Sequence, residues 1–165
     1  MTGSPSTAGS RLLDRGGSVS DLYDTDIALW SVHQAELLRR MGKGERVNDQ
    51  VDWENVAEEI EDMGNNVVRG VASHLVQAIL HDLKAEARPL SRDVPHWRAD
   101  ARGHRDEARE AYAPSMKARP ELDMSKLYRR ALRRMPDFID DLPPLPVPDV
   151  CPVTLDELLS DDPAA

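Results

Sequence analysis

Cysteine is nearly absent: Cys151 is the single one in 165 residues. That excludes an intramolecular disulfide and any zinc site built on paired cysteines. Aromatic residues are scarce as well, with three Trp, three Tyr and one Phe, so a core must be assembled mainly from Leu, Ile, Val, Met and Ala. No β-branched or aromatic run alternates with period two between turn residues, which removes the ordinary signal for strands. Nor does any window approach the roughly 18 apolar residues of a membrane span, and the first twenty residues have no apolar leader segment. A cytoplasmic protein without a membrane role is therefore expected.

Basic residues disappear after Arg134, while eight acids follow it, from Asp137 to Asp162. Those acids hold nearly all of the net charge of −9, and the body of the chain is close to neutral. A general nucleic-acid binder would carry the opposite balance, so nucleic acid is disfavoured as a partner.

The residues present read as an all-α chain: one helical bundle of about five main helices, a Pro-rich extended segment and a short docked C-terminal helix. Residues 1–20 are rich in Gly, Ser and Thr and are expected to form a flexible extension, with a single domain over 21–162. Asp24 or Thr25 can cap a first helix to about Met41, with Ile27, Trp30, Leu37, Leu38 and Met41 inward. Gln34 lies in that stripe and needs a partner on a neighbouring helix or a pocket. After a loop to Gln50, Asp52 caps a second helix that Gly64 stops. Asn65 or Asn66 opens a third to about Ala87, burying Val68, Val71, Ala72, Leu75, Ile79 and Leu83. Asp82 conflicts with that face unless it reaches water or an arginine. A fourth helix spans about Val94 to Ala113, with Trp97, Ala101, His104, Ala108 and Tyr112 in its apolar stripe. A fifth runs from about Leu122 to Met135, with Lys126, Arg129, Arg130, Arg133 and Arg134 outward. Prolines keep 136–152 extended, and Thr154 with Glu157 forms a capping box for a short helix over 154–160.

The densest chemistry lies in 52–62, with six carboxylates and no base in eleven residues. At about 100° per residue, Trp53, Val56, Ala57, Ile60 and Met63 form an apolar stripe, and Glu54, Glu58, Glu61 and Asp62 gather opposite. Glu61 and Asp62 would sit at the unfavourable negative end of that short helix, which makes a cationic partner attractive. A groove beside the fourth helix, drawn from His81, Lys84, His96, Trp97 and Arg98, is a second candidate. Catalytic signatures are missing: there is no Gly-rich phosphate loop, no nucleophile turn and no Glu-x-x-His pair. His74 and His81 share a face but stand about 10 Å apart along the helix, too far to share one ion. No cofactor is expected. The leading reading is a non-catalytic module that meets an unidentified protein partner through its acidic helix. The alternative is a metal-binding or metal-dependent hydrolytic protein using Glu58, Glu61, His81 and His96.

Several of these residues together resemble a known family. Tyr23-Asp24-Thr25-Asp26, Trp30, Gln34, the stretch from Asp52 to Gly64, His81-Asp82-Leu83-Lys84, Pro89, Trp97-Arg98 and Cys151-Pro152-Val153-Thr154-Leu155 are similar to the bacterial "domain of unknown function" family numbered twenty-nine. The resemblance covers about Tyr23 to Asp162. It implies a small helical protein of the bacterial cytoplasm and carries over no catalytic residue.

Overall fold

In the computed structural model, residues 19–160 are described, and among them there are six α-helices and no strand. The expected flexible extension lies outside the described residues except at its end, where Val19–Thr25 forms α1. The remaining helices are α2 (Ile27–Gly42), α3 (Trp53–Ala87), α4 (Val94–Ala111), α5 (Met124–Leu132) and α6 (Leu155–Leu158). The chain falls into two compact units that divide between Asp62 and Met63.

In the first unit, the cap of α2 is Asp26, whose carboxylate accepts from the Leu29 N–H at 3.0 Å, rather than Asp24 or Thr25. Those two residues belong to α1, and the Thr25 hydroxyl donates to the Asp21 carbonyl. The apolar stripe of α2 is narrower than its sequence predicts. Trp30 and Leu37 are buried with Val47, Val51 and Val56, whereas Ile27 and Leu38, at the margins of the arc, stay exposed.

One long helix replaces two predicted ones, because α3 runs through Gly64 without interruption. A glycine ends a helix when the chain turns left-handed there, and Gly64 keeps helical torsions instead. The two asparagines that could have capped a new helix have other partners. Asn65 accepts from Arg119 at 2.6 Å, and Asn66 accepts from Arg69 at 2.7 Å. Glu61 and Asp62 consequently lie mid-helix, and the dipole penalty expected of them does not arise.

The second unit is built on the seam of α3. Val68, Val71, Ala72, Leu75, Ile79 and Leu83 are all buried as their spacing predicts, joined by Val76 and Leu80. Ala108, Leu122, Leu127, Tyr128, Ala131, Leu155 and Leu158 complete the same cluster. Helix α5 is shorter than predicted and starts after a 3-10 turn at Pro120–Leu122, with Asp123 as its cap. The Pro-rich segment is pinned rather than loose: Arg88 donates to the Ile139 and Pro143 carbonyls, Ala87 accepts from the Leu145 N–H, and the Tyr128 hydroxyl donates to the Pro148 carbonyl. A tight reversal at Asp140 and Asp141, both with positive φ (52° and 59°), lets Ile139 and Leu142 pair across it. The capping box at Thr154 and Glu157 is present in full and sets the short α6.

Candidate functional site

The acidic stretch is fixed from behind by a polar lock. Asp52 accepts from the Trp30 indole at 3.2 Å and from the Asn55 amide at 2.8 Å, while its own N–H donates to the Gln34 side chain at 2.9 Å. At 2% exposure, Gln34 has its side-chain oxygen satisfied there, while its amide nitrogen is buried without a hydrogen-bond partner among the described residues. One turn along α3, Glu59 accepts from the Tyr23 hydroxyl at 2.7 Å, and Tyr23 packs edge-on against Trp30 with ring centroids 4.9 Å apart. The hydrogen bond to Glu59 first, then burial and the neighbouring carboxylates, push the Tyr23 phenol up to about 12. The inward side of this part of α3 is thus Asp52, Asn55, Val56 and Glu59.

The consequence for the predicted interaction face is direct. Glu54, Glu58 and Glu61 are exposed, and Asp62 is half-buried. The apolar stripe predicted to face the core mostly does not: Val56 is buried, but Trp53 is 47% exposed, Ile60 63% and Met63 68%. Ala57 is exposed as well. The Trp53 indole N–H donates to the Asn48 carbonyl at 3.1 Å. On the helical wheel Trp53, Ala57 and Ile60 fall within a narrow ridge, with Glu61, Glu54 and Glu58 along one flank.

The second unit gathers four of the five histidines along α3 and α4. His74 and His104 meet Nδ1 to Nδ1 at 3.1 Å. The ring of His81 stacks on that of His104, with centroids 5.9 Å apart and 20° between planes. Asp100 lies 3.3 Å from His96 Nε2 and 3.8 Å from His81 Nδ1, the latter too long for a hydrogen bond. Burial, helped by the charge of Lys84, lowers the pKa of His81 despite Asp100. Asp82 finds its arginine: Arg105, 9% exposed, donates to it at 2.6 Å. Burial nevertheless raises the pKa of Asp82.

Of the predicted groove, His81 and His96 come together around Asp100, while Lys84 and Trp97 are half-buried and Arg98 is exposed. A depression at the surface is lined by His74, Ala99, Asp100, Gly103, His104 and Glu107 instead. His74 with His104, and Glu107 beside them, were not predicted as a site. The signal available was that His74 and His81 share a face of one helix and His104 falls in the apolar stripe of another. The alternative metal set is divided, with Glu58 and Glu61 in the first unit and His81 and His96 in the second. Among the described residues no group of three or more His, Cys, Asp or Glu side chains is placed to hold a metal ion.

Comparison with known proteins bears on the polar lock, since most of its residues belong to the motif quoted above. Residues 22–163 match the family described as domain of unknown function DUF29. The chain belongs to the DUF29 family. No curated protein matches this DUF29 chain. Among solved structures it is similar to an α-helical protein of unknown function from Rhodospirillum rubrum, with 26% identity and a TM-score of 0.60 over 86% of this chain and 90% of that one. Within the matched range, Tyr23, Trp30, Gln34, Asp52 and Glu59 act on one another, holding α1 and α2 to the start of α3. None of the helices described is long and apolar enough to cross a membrane.

Proposed function

We propose that this DUF29 protein is a non-catalytic interaction module of the cytoplasm, whose α3 ridge docks a basic, amphipathic segment of a partner protein. The observation that supports the reading is the outward position of Trp53 and Ile60, 47% and 63% exposed, beside exposed Glu54, Glu58 and Glu61. Apolar surface left in water forgoes about 25 cal/mol per Å² that a partner would recover. A half-exposed tryptophan whose indole N–H is already hydrogen-bonded is the kind of anchor that dominates protein interfaces. The glutamates along one flank select the charge of the partner and speed its approach more than they add affinity. They also repel phosphate, which disfavours nucleic acid and anionic lipid on the same ridge.

The test is fluorescence anisotropy with a labelled Lys/Leu amphipathic helical peptide, and its Glu/Leu counterpart as control. The Lys/Leu peptide is expected to bind in the micromolar range and to weaken with added salt. Trp53→Ala should weaken binding about tenfold, and Glu58→Lys should abolish the preference for the basic peptide. Equal binding of the acidic peptide, or an unaltered affinity in Trp53→Ala, overturns the reading.

A further inference from the structure

We infer that the contact of α4 with α3 is a proton-sensitive latch, closed while the rings of His74, His81 and His104 are neutral and loosened when they are charged together. The latch lies wholly in the second unit and is independent of the α3 ridge. Its importance comes from the weak apolar grip of α4. Of the 18 residues in that helix only Val94, Ala101, Arg105 and Ala108 are buried, and Trp97 is half-buried. Two alanines and a valine withdraw little apolar surface from water, so polar contacts decide how firmly the helix stays in place. One of these is the Arg105–Asp82 pair at 2.6 Å. The others are made by imidazoles.

Each imidazole contact suits neutral rings and fails with charged ones. Between His74 and His104, Nδ1 to Nδ1 at 3.1 Å, one ring donates and the other accepts. A first added proton goes to the outer nitrogen of the donor and leaves the bond intact. A second must go to the accepting Nδ1, where two hydrogens then face each other and the contact is lost. His81 stacks on His104 with 5.9 Å between centroids, a distance at which two imidazolium rings repel. Its Nδ1 is buried without a hydrogen-bond partner, and a proton placed there finds Asp100 Oδ2 only at 3.8 Å. Burial first, and then the charge of Lys84, hold the His81 pKa below the ordinary histidine value against the pull of Asp100. The contribution of the neutral ring to stability is therefore complete above about pH 6.5 and is lost as the pH falls below that value.

The surrounding charges do not cancel those of the cluster. Around it stand Lys84 and Asp82 on α3, and His96, Asp100, Arg105 and Glu107 on α4. Asp82 is taken by Arg105, and Asp100 lies closer to His96 than to His81. Glu107 is exposed on the depression that His74 and His104 also line, through which protons reach the pair from solvent.

The test is amide hydrogen exchange of the full chain at pH 7.5 and 5.5, read by mass spectrometry and corrected for the intrinsic pH dependence of exchange. Protection over α4 is expected to fall at least about tenfold at pH 5.5, while protection over α5, which carries no histidine, holds. His104→Phe, which removes the ring that both others touch, should cut the fall in α4 to about twofold. His33→Gln, in the first unit, should leave the fall as it is. The comparison of α4 with α5 in the unmodified protein stands even if His104→Phe folds poorly. Unchanged protection in α4, an equal fall in α5, or an undiminished fall in His104→Phe overturns the inference.

Discussion

Leu75 and Ile60 are apolar residues on one continuous helix, yet Leu75 is sealed from solvent and Ile60 is 63% exposed. Around Leu75 the helix is held by hydrophobic packing, in a cluster that draws on α4, α5 and α6. Around Ile60 it is held on the adjoining side, by hydrogen bonds from Tyr23, Trp30 and Gln34 together with Val56, which is buried with Trp30, Leu37, Val47 and Val51. The contrast teaches that an amphipathic pattern states where apolar residues align and leaves open which side is covered. In the second unit the apolar face is the inner one. In the first, polar groups share the inner position with Val56 and leave the ridge outside.

That contrast can be broken by substitution. The largest effect is expected from Leu75→Ala, which opens a cavity in a site with no exposure and should cost about 3–5 kcal/mol in urea unfolding. Ile60→Ala, on the same helix, should stay within about 0.5 kcal/mol; a cost comparable with that of Leu75→Ala would show that the ridge is covered. Asp52→Ala comes next, at about 1–3 kcal/mol, because the Trp30 indole and the Asn55 amide both lose their acceptor. If its effect were no larger than that of Ile60→Ala, the polar lock would not be what holds the first unit. The remaining change is a gain. Gly64→Ala should stabilise the protein by about 1 kcal/mol, since the position is helical and nothing stands within 4 Å of the added methyl. A loss of stability there would mean that the helix bends at Gly64.

Much of the second unit was legible in the sequence, because its stabilising interactions repeat with the period of the helix. Val68 to Leu83 could be assigned by spacing alone, and the Thr154–Glu157 capping box is a local code read within four residues. The polar lock was legible only as single residues in search of partners: Gln34 was identified as needing one, but Asp52 is distant in the chain and was assigned to its own helix end. Gly64 misled because a glycine marks a helix end only when the chain turns there, and that is decided by packing elsewhere. The histidine pair escaped for a related reason. His74 and His104 lie on different helices, and their encounter depends on the register of α4 against α3, which the periodicity of neither helix contains.

The buried cluster of the second unit also has an order in time. Its α3 portion is complete once residue 87 has been made, but Leu155 and Leu158, which belong to the same cluster, lie far towards the other end of the chain. At about 5–20 residues per second, the roughly seventy residues between them take about 3–14 s to synthesise. For those seconds a nascent chain carries the Leu75–Ile79 seam without its last cover. The Pro-rich segment that Arg88 and Tyr128 then clasp by its carbonyls delivers α6 to that seam, and Arg109 holds the end of α6 at the Leu159 carbonyl.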